Sequence, residues 1–203
     1  MSEFPAKTAG PVAKGWLPDW VLFLGKFLRQ GRAIASFLPS SVWLARAVVG
    51  GIDFAKARTI VELGAGTGPI TAELLRQAAP TCRCLIVERD ADFCDRLRSR
   101  FPTAEVIEGD ATELESLLQG RGVDRVDHVL CGLPLPSFSE DCRAKVLECV
   151  LRRLAPQGTF RQLTHMPWVY RRLYRRYFAE VRMRLVLRNL PPAGFYICRK
   201  QGG

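Results

Sequence analysis

The sequence predicts an α/β fold in which a largely parallel sheet carries helices and ends in an antiparallel hairpin. Short apolar runs, typical of buried strands, alternate with segments of helical periodicity between residues 59 and 166. A glycine-rich turn, GAGTG at 64–68, follows the first of these strands and precedes a helix. Near the C-terminus, a strand of alternating apolar and arginine residues is joined by the turn PPAG to a second strand, which indicates a hairpin.

Helices are predicted before the sheet. Apolar side chains recur every three or four positions in the first of them: Trp20, Phe23, Leu24, Phe27 and Leu28. A second helix is expected to begin at Pro39–Ser41 and to end at Gly50 and Gly51. We therefore divide the chain into residues 1–50, a tail with amphipathic helices that forms a candidate membrane-surface element, and residues 51–203, the main domain.

The elements of the main domain follow each other in a regular order. Strands are predicted at 59–63, 84–88, 104–109, 126–132 and 159–166, and helices at 71–79, 92–101, 113–120 and 140–155. Pro80 and the PQG segment at 156–158 end two of these helices, as proline and glycine commonly do. The hairpin strands are predicted at 180–190 and 195–200, and neither an internal repeat nor a second domain is evident.

The positive charge of the chain is concentrated at one end. The 203 residues carry a formal net charge of +10, and 48% of them are hydrophobic, which is a globular composition. Residues 160–203 contain ten basic side chains against the single acid Glu180, whereas residues 1–159 contain 20 basic and 19 acidic ones. This end is expected to face an anionic partner, which the composition leaves open between nucleic acid, a membrane surface and a phosphorylated substrate.

The cysteines and the hydropathy pattern suggest a reducing compartment. Seven cysteines are present without a CxxC pair, which fits neither a zinc site nor a disulfide framework, and no other metal site is evident. No apolar run approaches the roughly 20 residues of a membrane span. We therefore expect a cytoplasmic protein that meets a membrane only at its surface, on the inner face.

Three glycines and two carboxylates form the strongest motif. Gly64, Gly66 and Gly68 allow a tight turn and a close backbone approach to a ligand. Glu88 ends the second strand 20 residues after Gly68, where a carboxylate accepts from both hydroxyls of a ribose. Asp110 ends the third strand, where its oxygen is able to accept from an adenine amino group.

Glu62 with its glycine loop, Glu88 and the EGDA segment at 108–111 resemble the cofactor site of class I S-adenosylmethionine-dependent methyltransferases. The resemblance covers residues ~58 to 200 and implies the Rossmann-like sheet of that family, with its terminal hairpin, for residues 51–203. A dinucleotide-dependent dehydrogenase and a non-catalytic member of the fold are the alternatives. The cofactor residues that the resemblance implies are Glu88 for the ribose, Asp110 for the adenine, and Glu62, Gly64 and Gly66 for the methionine part, with Arg89 and Ala111 beside them.

The segment CGLPLPSF at 131–138 bears on the methyl acceptor. Adenine amino-methyltransferases have Asn-Leu-Pro-Tyr or a close variant there, in which the asparagine and a prolyl carbonyl accept from the amine and the aromatic ring stacks on the base. Gly132 and Leu135 replace the asparagine and the aromatic residue. Because both residues that hold the base are replaced, we do not expect a nucleic-acid partner. Ribosomal RNA adenine N6-methylation is kept only as an alternative function.

Three other segments are similar to the bacterial phospholipid N-methyltransferases, which make phosphatidylcholine from phosphatidylethanolamine. They are FLRQGRAIASFLPSSVWLARAV at 27–48, GLPL at 132–135 and RNLPPAGFYIC at 188–198. The resemblance implies methylation of an aminolipid headgroup, with phosphatidylethanolamine as the expected substrate. His165 stands where that family often has tyrosine, so ornithine lipid, which close relatives methylate, is an alternative substrate.

Aromatic and basic residues near the C-terminus fit such a substrate. On a helix, Tyr170, Tyr174 and Tyr177 share one face with Leu173, and their rings suit an amine that ends as a trimethylated cation. The intervening arginines are expected to face lipid phosphates. His165 is the candidate general base, whereas His128 lies in an apolar strand and is expected to be a core residue. We expect a monomer bound to an anionic membrane surface; a non-catalytic membrane-binding module is the remaining alternative.

Overall fold

The computed structural model describes residues 39–164, 166, 168–189 and 192–201. The strands are β1 (Thr59–Leu63), β2 (Arg83–Glu88), β3 (Glu105–Glu108), β4 (Val126–Cys131), β5 (Leu154–Thr164), β6 (Glu180–Val186) and β7 (Ala193–Arg199). The helices are α1 (Pro39–Val49), α2 (Pro69–Gln77), α3 (Ala91–Arg100), α4 (Leu114–Gln119), α5 (Glu140–Arg153) and α6 (Arg171–Tyr174). Short 3₁₀ turns at Ala111–Glu113 and Leu135–Ser137 complete the elements.

All seven strands form one sheet in the order β3-β2-β1-β4-β5-β7-β6. Strands β1 to β5 are parallel, and β7 pairs antiparallel with both β5 and β6. The predicted fold, a parallel sheet with a terminal antiparallel hairpin, is therefore confirmed. After β3 the chain crosses to the other side of β1, so the carboxyl ends of β1 and β4 adjoin at a topological switch point, where open α/β sheets bind ligands.

Helices cover both faces of the sheet. One apolar cluster joins the sheet to α4, α5 and α6, and the other joins it to α1, α2 and α3. Val48 and Val49 of α1 are completely buried in the second cluster, so α1 packs as part of the main domain although it precedes residue 51. The helix predicted from residue 20 to about residue 30 lies outside the described residues. None of the described helices combines the length and apolarity that a membrane span requires.

The structure corrects the start of the fifth strand and the length of the helix after it. Helix α5 ends at Arg153, before the PQG segment that was expected to end it. Strand β5 begins five residues earlier than predicted, at Leu154, so PQG lies within this strand. The register shifts between Val126 and His128 of β4, and this irregularity accommodates the extra residues. Helix α6 spans only four residues and continues as turns, so the predicted helical face around Tyr170 is shorter than the sequence pattern indicates.

Candidate active site

A cavity of about 220 Å³ opens at the carboxyl ends of β1, β2, β3 and β4. The loops that follow these strands form most of its wall, together with Phe138 and Leu163. Six of the seven residues predicted to hold a cofactor line it: Gly64, Gly66, Glu88, Arg89, Asp110 and Ala111. The structure thus brings the predicted residues together, and their contact with a cofactor stays a prediction.

The glycine loop approaches the segment after β4 without space for side chains between them. Gly64 and Gly66 have φ values of +73° and +55°, in the left-handed region that favours glycine. A Cβ atom on Gly64 would collide with the side chain of Leu133, and one on Gly132 would lie 2.7 Å from the carbonyl oxygen of Gly64. The glycines therefore let two backbone segments close one side of the cavity.

Glu88 connects the glycine loop to the end of β2. Its Oε2 accepts a hydrogen bond from the backbone N–H of Gly66 at 2.9 Å, and its Oε1 accepts from those of Arg89 and Asp90 at 2.8 and 3.0 Å. The side chain is buried but lines the cavity. Because a carboxylate has about four acceptor positions, one remains for a ligand hydroxyl in addition to these three bonds.

Asp110 is held at the neighbouring strand end. Its Oδ1 accepts from the backbone N–H and the hydroxyl of Thr112, each at 2.8 Å, and its Oδ2 faces Nη1 of Arg89 at 3.4 Å. Burial alone would raise the pKa of Asp110, but the bonds from Thr112 and the Arg89 guanidinium together lower it. The Asp110 carboxylate is therefore ionised near neutral pH, so it is able to accept a further hydrogen bond.

Glu62 lies in the core and does not contribute to the cavity lining. Its Oε2 accepts from the hydroxyl of Thr71 at 2.7 Å, while its Oε1 is buried without a partner among the described residues. Burial, together with the negative charge of Glu88, raises the pKa of Glu62 to about 8. The structure thus places a protonated carboxyl group behind the glycine loop, and its predicted contact with a methionine moiety stays a prediction.

The acceptor side of the cavity is apolar and contains residues that the sequence pattern did not single out. Leu133, Pro134, Phe138 and Leu163 line it. Phe138 supplies an aromatic ring three residues after Leu135, which is itself completely buried. A position-by-position match of the segment does not reveal Phe138, because the 3₁₀ turn at Leu135–Ser137 places the ring further along the chain.

Gln162 of β5 positions the segment after β4. Its carboxamide nitrogen donates to the carbonyl oxygens of Leu133 at 2.7 Å and of Cys131 at 3.3 Å. Gln162 is completely buried. The surrounding sequence, TFRQLT, mixes polar and apolar residues, so it gave no signal for this role; burial of the amide is what requires the hydrogen-bond partners.

The predicted tyrosine face exists, but it packs against the core. Tyr174 is fully buried, with its ring centroid 5.2 Å from that of Tyr196, and its hydroxyl has no partner among the described residues. Burial raises the pKa of Tyr174 well above its ordinary value. Tyr170 and Tyr177 are partly buried against the same cluster, and none of these three residues lines the cavity. A role of these rings in catalysis stays a prediction.

The two histidines differ in what the structure shows. His165 lies outside the described residues, so its role as general base stays a prediction. His128 is half-buried in β4, and its Nδ1 lies 2.8 Å from the hydroxyl of Thr159. Burial and the positive charge of Arg161 lower the pKa of His128 to about 4, so this ring is neutral near pH 7. His128 is therefore only partly buried, rather than the core residue that we expected, and it does not line the cavity.

The known proteins that are similar to this chain in sequence are methyltransferases. Residues 60–158 match a family model described as a methyltransferase domain. The chain is 50% identical over 186 residues to an ornithine lipid N-methyltransferase of Singulisphaera acidiphila. The aligned region covers 90% of this chain and 97% of that relative.

Solved structures share the fold at low sequence identity. One is the 1,6-didemethyltoxoflavin-N1-methyltransferase of Burkholderia thailandensis with S-adenosylhomocysteine, with a TM-score of 0.66 and 18% identity over 96% of this chain and 94% of that one. Another is the Bacillus cereus O-methyltransferase in complex with S-adenosylhomocysteine, with a TM-score of 0.61 and 17% identity over 85% of this chain and 88% of that one.

Proposed function

Because the chain belongs to the class I S-adenosylmethionine-dependent methyltransferases, in the family of the Singulisphaera lipid enzyme, we propose that it methylates the headgroup amine of a membrane aminolipid. The observation that carries the proposal is the 50% identity to an ornithine lipid N-methyltransferase over 97% of that protein. It favours ornithine lipid, the alternative substrate, over the phosphatidylethanolamine that we expected from the sequence. Ornithine lipid is therefore our first candidate.

The residues around the first cavity fit the cofactor. S-adenosylmethionine supplies an electrophilic methyl group on a positively charged sulfur. Glu88 retains an acceptor position for the ribose hydroxyls, and Asp110 is ionised and able to accept from the adenine amine. The unpartnered Oε1 of the protonated Glu62 is a buried donor behind the glycine loop, where it is able to fix the loop or a bound polar group.

The apolar wall suits an amine that gains methyl groups. Each methylation removes a hydrogen-bond donor, so a trimethylated product is held best by an aromatic face and apolar surfaces. Phe138 and Leu133 provide such surfaces beside the glycine loop. Gln162 fixes the carbonyl of Leu133, so this wall is preorganised.

The amine must lose a proton before it attacks the methyl group. A positive charge nearby disfavours a second cation and so lowers the pKa of the ammonium group. His165 remains our proposed base on the grounds of its residue type and its position after β5. Neither Glu88 nor Asp110 is proposed for this step, because both are engaged as hydrogen-bond acceptors at the cofactor end.

Exposed apolar side chains at the cavity edge support a membrane-facing orientation. Met166, Trp168 and Val169 follow β5, and Trp168 is 72% exposed. Leu187, in the turn after β6, is 75% exposed. β7 is antiparallel to β5, so this turn lies at the same edge as the carboxyl ends of β1–β4. We propose that this edge contacts the lipid surface on the cytoplasmic side, with the exposed arginines Arg171, Arg172, Arg175 and Arg176 beside it.

The tight contact at Gly132 argues against a nucleic-acid base as the acceptor. An asparagine at this position would bring its Cβ atom to 2.7 Å from the Gly64 carbonyl oxygen, so the glycine loop would have to move. The hydrogen-bonding side chain that adenine methylation uses therefore has no place in this arrangement.

A direct assay tests the proposal. The purified protein is incubated with methyl-labelled S-adenosylmethionine and vesicles that contain ornithine lipid, vesicles that contain phosphatidylethanolamine, or ribosomal RNA. We expect label in ornithine lipid at a rate well above that in phosphatidylethanolamine, and none in RNA. Label in phosphatidylethanolamine alone would support aminolipid methylation but contradict the choice of ornithine lipid. Label in RNA alone would contradict aminolipid methylation altogether.

A further inference from the structure

A second cavity, of about 410 Å³, lies on the face of the sheet that α1 covers only in part. It opens where α1 ends at Gly50 and Gly51, above strands β5, β6 and β7, and it shares no lining residue with the first cavity. Four arginines line it, Arg161, Arg182, Arg184 and Arg199, and Glu180 is the only acidic residue among its described lining.

The strand register explains why these side chains converge. Ile197 of β7 lies opposite Arg161 of β5 on one side and opposite Arg182 of β6 on the other, so all three residues point to the same face. Arg184 and Arg199 are each two positions from this row and therefore share that face. Three neighbouring strands, β5, β7 and β6, thus bring four guanidinium groups around one space.

Arg161 is the buried member of the group, and no carboxylate among the described residues forms an ion pair with it. It is 3% exposed, and its Nη1 donates to the carbonyl oxygens of Val48 and Gly50 at the end of α1, the latter at 2.7 Å. Its Nε donates to the hydroxyl of Thr159, and Nη2 has no hydrogen-bond partner among the described residues. Burial and then the positive charge of Arg199 lower the pKa of Arg161 to about 10, which is still far above physiological pH.

Among the described residues, one carboxylate and four guanidinium groups line the cavity, so this part of the protein does not balance its charge. Glu180 forms an ion pair with Arg182, which leaves the charges of Arg161, Arg184 and Arg199. The 38 residues that precede α1 carry five basic and two acidic side chains, so their net charge is also positive. A buried cation is stable when an anion or hydrogen-bonding group compensates it, and here the neutral carbonyls compensate it only in part.

We propose that this cavity is a phosphate-binding site. A tetrahedral dianion or phosphodiester accepts several N–H donors at once, and guanidinium groups supply them in pairs. The phosphate belongs either to the headgroup of an anionic phospholipid or to a soluble phosphate compound. The cavity lies near the exposed turn after β6, which allows a lipid headgroup to reach it. The Arg161 guanidinium, fixed through Nε and Nη1, supplies a positioned donor at Nη2 for either ligand. The site is independent of the methyl transfer proposed above.

The experiment uses exposed arginines, because replacement of Arg161 would leave the carbonyl groups at the end of α1 without their donor and so destabilise the fold. Arg184→Gln, Arg199→Gln and the double variant are compared with Arg96→Gln, which removes the same charge from the exposed surface of α3, beside the opposite end of the sheet. Thermal unfolding first shows that each variant is folded. Binding of inorganic phosphate is then measured by calorimetry at low ionic strength, and binding to vesicles by flotation.

The vesicles contain either equal parts of phosphatidylglycerol and phosphatidylcholine or phosphatidylcholine alone. We expect each cavity variant to weaken binding by about fivefold and the double variant by about 25-fold, while Arg96→Gln stays within about twofold of the original protein. A loss seen only with inorganic phosphate assigns a soluble ligand, and a loss in the phosphatidylglycerol arm assigns a lipid headgroup. Equal binding by the cavity variants and the control, or no binding by the original protein in either arm, would overturn the proposal.

Discussion

Replacement of Glu88 by glutamine tests the assignment of the first cavity to the cofactor. The Glu88 carboxylate accepts three backbone N–H bonds, one at Oε2 and two at Oε1, and it is only 7% exposed. In Glu88→Gln one of these oxygens becomes an NH₂ group, which is unable to accept. At least one N–H group therefore loses its partner, and the acceptor for a ligand hydroxyl loses its charge.

The expected loss follows from these bonds. A hydrogen bond to a charged group contributes about 1.5–3 kcal/mol, so the affinity for S-adenosylmethionine should fall by roughly 10- to 150-fold. Glu88→Ala should cost at least the same, because it removes all three acceptors. Titration calorimetry with S-adenosylmethionine measures the change directly.

Glu108→Gln is the matched control. Glu108 pairs with Glu88 in the sheet register and ends the neighbouring strand, but it is exposed and does not line the cavity. This variant should bind the cofactor as tightly as the original protein. If Glu88→Gln also binds with unchanged affinity while remaining folded, the reasoning about the Glu88 carboxylate is refuted.

Substitutions at three further positions probe the interior of the protein. The pKa of Glu62 is about 8 in the folded protein against an ordinary 4.5, so the free energy of unfolding should fall as pH rises between these values. Urea unfolding of Glu62→Gln should not show this fall, and the variant should be more stable than the original protein at pH 8 by on the order of 2–4 kcal/mol. Parallel pH profiles of the two proteins would contradict this. Gly132→Ala should lower the affinity for S-adenosylmethionine at least about tenfold in calorimetry, because its Cβ atom would displace the carbonyl of Gly64. Unchanged affinity would show that the glycine loop moves without affecting cofactor binding. Tyr174→Phe should change the free energy of unfolding in urea by less than about 1 kcal/mol, because the buried hydroxyl has no partner among the described residues. Tyr174→Ala should lower it by about 3–5 kcal/mol, because it removes a buried ring. A Phe variant as unstable as the Ala variant would mean that the hydroxyl is hydrogen-bonded.

Much of the fold was predictable because buried parallel strands are marked by short apolar runs. The strand from Thr59 to Leu63 was predicted with the observed bounds, and the others agree within a few residues apart from the start of β5. Glu88 and Asp110 were also identifiable, since carboxylates that follow strands of a parallel sheet meet at one edge. These features depend on local sequence and on the general geometry of the fold.

Other features depend on contacts between distant segments, which no local pattern reveals. Glu62 was predicted to contact the methionine part of the cofactor, which stays a prediction, but the sequence did not reveal that the hydroxyl of Thr71 holds its carboxyl group behind the glycine loop. The arginines of the second cavity look like one face of an ordinary edge strand in the sequence, and only the pairing of β7 with both β5 and β6 brings Arg161 to them. In the same way, the early start of β5 depends on a register shift against β4.

Mass spectrometry of membrane lipids tests the central claim most directly. The chain is expressed in a bacterial host that makes phosphatidylethanolamine and ornithine lipid but methylates neither, with Glu88→Ala as the inactive control. We predict that ornithine lipid gains the mass of one to three methyl groups in cells with the original protein and remains unmodified with the variant. Unmodified aminolipids in cells that contain the folded, cofactor-binding protein would contradict the account.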